Sequence, residues 1–324
     1  MAKVGHEALA LLEKAGCRIS HPSLSAAASG DELVRLLDGM DAVVAGNDHY
    51  SAACLASPAA ANLKIISRWG VGYDAVDVPA ATAAGIIVAY TPGFTDEAVA
   101  DLTFGLLLSI ARHIPAGHTS MREGLWLPKW GVDVPGKTLG ILGYGRIGSA
   151  VARRARGFNM RLIAHSPRQR PEAAAAGVQY VSFDELLSQS DFLTVHAALT
   201  PQTRVSMGEA QFRRMKKSAY LINTARGALL DEDALLKALR EGWIAGAALD
   251  VFTEEPLPAK HPLRTMPNVL LSPHQGSSAL ETGERVSVAA VQAVLDLLGG
   301  RKPALVLNPE VFVSPRLRAN IQPA

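Results

Sequence analysis

Short apolar runs alternate with helix-period stretches along almost the whole chain, the pattern of βαβ units whose parallel strands are covered on both faces. The first three runs, DAVVAG (Asp41–Gly46), KIISRWG (Lys64–Gly70) and GIIVAYT (Gly85–Thr91), predict one small sheet with short alanine-rich helices between its strands. TPGFTDE then breaks the rhythm: Pro92 and Gly93 stop a strand, and Thr95 or Asp96 can cap the long apolar helix AVADLTFGLLLSIAR. After a polar loop with Trp126, Pro128 and Trp130, six further runs (KTLGILG, MRLIAHS, FLTVHA, AYLINT, AGAALDV, NVLLSPH) predict a second, larger sheet. The final helical stretch SALETGERVSVAAVQAVLDLLGG and the strand-like ALVLNPEVF fall outside that rhythm and are expected to return to the first sheet. The class is α/β, with residues 1–95 and 279–324 forming a smaller domain and residues 96–278 a larger one.

Composition narrows the partners. The 324 residues and 48% hydrophobic content suffice for two buried cores. Thirty-two basic against 30 acidic residues give a net charge of +2 without a long like-charge run, which provides no footprint for nucleic acid or an anionic membrane. Cys17 and Cys54 stand far apart in no metal-ligand spacing, so no metal site and no disulfide framework is expected. Glu7, Glu13 and Lys14 interrupt the start where a secretory signal needs an apolar core, and the expected location is the cytoplasm.

GYGRIG is the first stretch that carries chemistry. Gly143, Gly145 and Gly148 follow the strand KTLGIL and open the helix SAVARRARGF, so backbone N–H groups and a positive helix end converge on one point, as a dinucleotide requires. Gly143, Gly145, Arg146, Ile147 and Gly148 are the candidate cofactor-binding residues of that turn. An acid that grips the adenosine ribose is expected about 20 positions later. MRLIAHSPRQR has none there; Ser166 takes its place, with Arg168 two residues on. A serine can donate to a 2′-phosphate, and the arginine fork suits one, so NADP(H) is preferred over NAD(H).

Three ionisable groups stand at late strand ends, where ligands of open α/β sheets bind. AYLINT runs into Arg226, AGAALDV ends at Asp250 before FTEEP with Glu254 and Glu255, and NVLLSP ends at His274. Each alone has an ordinary explanation as a surface or near-core residue. Together they are what hydride transfer to a 2-keto acid needs: an arginine for the carboxylate and carbonyl, a histidine to protonate the new hydroxyl, and a carboxylate to orient the imidazole.

At this point the chain resembles the D-isomer-specific 2-hydroxyacid dehydrogenase family. LGYGRIG, VHAALTPQTR, LINTARGALLDEDAL, GAALDVFTEEP and SPHQG match its blocks in order, and RWGVGYDAVD and TPGFTDEAVADLTFGLL match the earlier ones. The resemblance implies a Rossmann-type doubly wound cofactor domain and a flavodoxin-like substrate domain made from both chain ends. It implies Arg226, Glu255 and His274 as the catalytic set, with Glu255 chosen over Glu254 because it directly precedes the proline. It further implies Thr103, Thr224 and Asp250 as cofactor contacts, Asp250 toward the nicotinamide, and Val71 and Gly72 as amide donors to the substrate carboxylate beside Arg226. A homodimer built through the cofactor domains is expected.

Ser166 departs from the family's usual ribose-binding aspartate and is similar to its glyoxylate and hydroxypyruvate reductases. MAKVGHEALALL enters a helix almost at once where members open with a strand, which leaves the edge of the first sheet in question. Asn47, Asp48, His49 and Tyr50, with Arg68 and Trp69 near the next strand end, are expected to face the substrate and suggest a small hydroxylated acid, glyoxylate or hydroxypyruvate. Phosphoglycerate dehydrogenase is the alternative activity, for which Arg68 is the candidate phosphate ligand. A dinucleotide-sensing corepressor is the alternative of another class, disfavoured because all three catalytic residues are present.

Overall fold

The computed structural model describes residues 5–22 and 27–321. The chain divides into two compact units, one taking the chain up to Thr95 and again from Ser277, the other Asp96–Gly276. No single helix among the described residues is long and apolar enough to cross a membrane.

The first unit carries a three-stranded parallel sheet in the order β1 (Ala42–Ala45), β2 (Ile65–Arg68), β3 (Ile87–Ala89). β2 is the central strand, and its four residues are all buried, as a parallel strand covered on both faces must be. Helix Leu280–Leu298 packs on β1 and β2, so the last long helix does return to the first sheet. ALVLNPEVF, however, is not a strand. It makes one antiparallel bridge, Ala89 with Val306, and then the 3-10 turn Pro309–Val313. The reason is local: Pro309 cannot donate to a ladder, and the side chain of Asn308 replaces one. Its Oδ1 accepts from Val88 N (2.8 Å) and its Nδ2 donates to Ile86 O (2.9 Å), covering the β3 edge with an amide side chain. Residues 1–4, where a strand preceding the first helix would begin, lie outside the described residues.

The second unit carries a seven-stranded parallel sheet: β4 (Thr138–Leu142), β5 (Arg161–His165), β6 (Val178–Tyr180), β7 (Phe192–Val195), β8 (Tyr220–Asn223), β9 (Gly246–Leu249) and β10 (Val269–Leu271). Their order is β10-β9-β8-β7-β4-β5-β6. Six of them are the apolar runs of the sequence. The seventh, β6, is a three-residue edge strand, Val-Gln-Tyr, too short and too polar to show a period. The chain leaves β4 in one direction through β5 and β6 and resumes on its other side at β7, which places the topological switch at the carboxyl ends of β4 and β7. Helix Asp96–Ala111 is buried along most of its length and packs against helix Arg146–Gly157, to which Glu97 and Asp101 are tied by Arg154. The cap expected of Thr95 or Asp96 is not made by Thr95 Oγ1 or Asp96 Oδ1. Both atoms are enclosed without a hydrogen-bond partner, and burial holds the Asp96 carboxyl above its ordinary range.

Candidate active site

β4 delivers the glycine turn to the switch point. Gly143 has φ 93, and a Cβ there would stand 2.5 Å from Ala197 N, so both its conformation and its close approach to the β7 exit require glycine. Gly148 allows the helix to pack, since a Cβ would stand 2.4 Å from Gly143 O. Gly145 is different: nothing lies within 4 Å of its Cβ position. That open surface at the N-terminus of helix Arg146–Gly157, with Arg146 exposed and Ile147 half-buried beside it, fits the close approach of a pyrophosphate. Beyond β5, Ser166 is half-buried and Arg168 exposed, and the first acid after them, Glu172, is paired with Arg170 (3.1 Å).

The exits of β8, β9 and β10 bring Arg226, Glu255 and His274 together. His274 Nδ1 lies 2.6 Å from Glu255 Oε2, and Glu255 Oε1 accepts from Phe252 N at 2.9 Å. Burial alone would raise the Glu255 carboxyl. The hydrogen bond and charge of His274, the Phe252 amide and the charge of Arg226 outweigh it and hold the group below the usual carboxylate range. Glu254 and Glu255 are both exposed, and the structure pairs Glu255 with His274. The bond from Nδ1 to the carboxylate fixes the orientation of the imidazole ring.

Asp250 and Thr103, expected as cofactor contacts, both make hydrogen bonds within the protein. Asp250 is 1% exposed, and its carboxylate accepts from Ser272 Oγ (2.6 Å), Gln275 N (3.0 Å) and Gly276 N (2.9 Å). These bonds tie it to the turn around His274. Thr103 is fully enclosed, donating to Val99 O (2.8 Å) and lying 3.0 Å from Thr224 Oγ1, so it braces Thr224 from behind.

Two residues of the site went unread in the sequence. Asn223, fully buried at the end of β8, accepts from Ala225 N (3.0 Å) and donates to Arg226 O (2.9 Å), fixing the backbone from which the guanidinium projects. Ser272 does the corresponding work at the end of β10. Their only signal was a polar residue closing an apolar run, in LINT and LLSP.

In the first unit, Val71 and Gly72 lie in the turn after β2, both half-buried. The side chains expected to face a substrate are largely turned into that unit. Tyr50 is buried in its core, Asp48 Oδ1 accepts from Ala28 N (2.9 Å), and Trp69 Nε1 donates to Ser287 Oγ (2.9 Å). Arg68 is 3% exposed, with donors on Ala45 O and Gly72 O, which argues against its use as a phosphate ligand. Only His49 and Asn47 of the group are exposed, and Asn47 Oδ1 accepts from Arg68 (3.3 Å).

Residues 104–276 match the family model of the D-isomer specific 2-hydroxyacid dehydrogenase NAD-binding domain. The chain is 40% identical over 313 residues to a glyoxylate reductase of Thermofilum pendens, covering 94% of this chain and 92% of that one. It is 45% identical over 253 residues to a D-3-phosphoglycerate dehydrogenase of Methanocaldococcus jannaschii, covering 77% of this chain and 48% of that one. The crystal structure of a glyoxylate reductase from Paecilomyes thermophila matches with a TM-score of 0.84 at 33% identity, over 95% of each chain.

Proposed function

Because the chain belongs to the D-isomer specific 2-hydroxyacid dehydrogenase family, we propose that it is a glyoxylate/hydroxypyruvate reductase that prefers NADP(H) to NAD(H). The observation that carries this is the 2.6 Å pairing of His274 with Glu255 beside the charge of Arg226. When bound, the nicotinamide dinucleotide supplies the hydride to the carbonyl carbon, or accepts it in the reverse direction. His274 gives a proton from Nε2 to the carbonyl oxygen as it becomes a hydroxyl. Glu255 holds the imidazole through Nδ1 and offsets its positive charge while it waits. Arg226 takes the substrate carboxylate and polarises the carbonyl, and the Val71 and Gly72 amides are assigned to the same carboxylate.

The dinucleotide is assigned to the Gly143–Gly148 turn, with Thr224 beside it. Ser166 and Arg168 stand where a ribose-binding acid would exclude a 2′-phosphate, which supports NADP(H). The engaged, buried Arg68 supports an unphosphorylated substrate over 3-phosphohydroxypyruvate. A homodimer is assigned to the second unit, where Met121, Leu125, Trp126, Leu127 and Trp130 are all exposed, Trp126 by 82% and Trp130 by 99%. Initial rates with glyoxylate, hydroxypyruvate and 3-phosphohydroxypyruvate, each with NADPH and NADH, test the assignment. Fast turnover of the first two with NADPH is expected; turnover confined to the phosphorylated acid, or to NADH, overturns the corresponding part.

A further inference from the structure

The five-residue turn Trp69–Tyr73 is pinned from several sides, one of them by the side chain of Arg68. Trp69 N donates to Ala45 O (2.9 Å) and its indole to Ser287 Oγ (2.9 Å). Gly70, at φ 137, donates to Thr91 Oγ1 (2.9 Å) and accepts from Thr91 N (3.1 Å), while Thr91 Oγ1 also reaches Arg68 O (3.4 Å). The far side of the turn is held by one side chain: Arg68 Nε donates to Gly72 O (2.9 Å) while another guanidinium nitrogen donates to Ala45 O at the end of β1 (2.9 Å) and the third to Asn47 Oδ1 (3.3 Å). What the pins leave over, in backbone hydrogen bonding among the described residues, is the amides of Val71, Gly72 and Tyr73, the first two directly following the pinned Gly70.

A buried guanidinium is costly unless its donors are satisfied, and here the acceptors include two main-chain carbonyls and one amide oxygen. The planar fork is what lets one side chain tie the end of β1 to the turn after β2 at once. Two adjacent amides held in a fixed turn next to a buried positive charge form a concavity suited to a carboxylate.

We propose that Arg68 is a positioning residue for substrate binding: through the Gly72 carbonyl it holds the turn whose Val71 and Gly72 amides take the carboxylate of the 2-keto acid. This rests on the carboxylate role given to those amides above. It also gives Arg68 a part in specificity, because a guanidinium engaged in this way selects for a carboxylate at the turn and provides nothing for a phosphate.

The test uses Arg68→Met, Arg68→Lys and Arg68→Ala in the full chain, with glyoxylate as substrate. Arg68→Met is expected to raise KM by about ten-fold or more while kcat changes little and NADPH affinity stays at the wild-type value. Arg68→Lys keeps the buried charge but cannot bridge both carbonyls, so it should fold and show a smaller rise in KM. Amide hydrogen exchange of the peptide covering residues 69–73 should quicken in both variants, and added millimolar guanidinium should return the KM of Arg68→Ala toward wild type. A raised KM with unchanged exchange overturns the proposal, because Arg68 would then touch the substrate itself. Unchanged KM in both Arg68→Lys and Arg68→Met also overturns it. If exchange has quickened in that case, the amides do not hold the carboxylate and their assigned role fails as well; if exchange has not changed, only the hold of Arg68 on the turn is lost.

Discussion

Asp250 grips the His274 turn with both of its acceptors: its main-chain carbonyl accepts from His274 N at 2.8 Å, and its carboxylate accepts from Gln275 N and Gly276 N at 3.0 and 2.9 Å. His274 itself has φ 48, an uncommon conformation for a non-glycine residue, which persists only because its surroundings determine it. Asp250→Asn turns an amide N–H toward at least one of these donors. Leaving a buried donor unpaired costs roughly 1–3 kcal/mol, so kcat/KM should fall about 10- to 100-fold. His274→Ala should fall further, by about 10²–10⁴-fold, with cofactor affinity retained. In the His274→Ala background, Asp250→Asn should cost almost nothing more, because its effect runs through the imidazole. Steady-state kinetics of the three variants check this; a full additional loss in the double variant would assign Asp250 another role.

Glu255 makes stability depend on pH in a stated direction. Its carboxyl is held below the ordinary value in the folded chain, so the stabilisation is fully present above the unfolded carboxylate pKa of about 4.3 and is lost as pH falls through the lower folded value. Glu255→Gln has no such titration. The difference in unfolding midpoint between wild type and Glu255→Gln should therefore be constant from neutral pH down to about 5 and shrink below about 4. Thermal melts across that range measure it, and a gap that widens on acidification would reverse the sign assigned here.

The loop after β5 makes cofactor choice testable by one residue. Ser166→Asp places a carboxylate where a 2′-phosphate would sit and provides a ribose acceptor in its place. The ratio of kcat/KM for NADPH over NADH should drop by about ten-fold or more, since a like-charge contact costs at least the 1.4 kcal/mol that this ratio represents. An unchanged ratio would show that the loop does not reach the nucleotide.

Val205 offers a stabilising substitution away from the site. Its φ is 52, in the left-handed region that a β-branched side chain tolerates poorly, and its N–H donates to Ala228 O at 2.9 Å, which holds it there. It is also half exposed, so little packing is lost with the side chain. Val205→Gly should raise stability by up to about 1 kcal/mol, the relief of strain exceeding the entropy cost of glycine. Denaturant unfolding decides it, and a lower midpoint would mean the isopropyl group contributes more than its conformation costs.

Much of this architecture was legible along the chain. Nine of the ten strands and the glycine turn follow from periodicity and from spacing over a few residues, because strand pairing, a tight turn and a helix start are decided by neighbours in sequence. β6 escaped because three residues hold less than two alternations, and ALVLNPEVF misled because hydrophobicity does not reveal that Asn308 would supply the hydrogen bonds of a missing strand. Polarity near a strand end likewise did not reveal that Tyr50, Arg68 and Asp250, all read as facing a ligand, are buried.

By itself, then, the sequence determined the α/β class, the dinucleotide turn and the residue types at the strand ends. Tertiary structure alone decided that Nδ1 of His274 meets Glu255, 19 positions away, that Asp250 faces inward to the turn beyond β10, and that Arg68 closes on Gly72 and on Ala45, 23 positions earlier. The reason is physical. A strand or a turn is stabilised by groups close in the chain, whereas the partner of a buried charge is whichever acceptor the packing of other strands brings within about 3 Å.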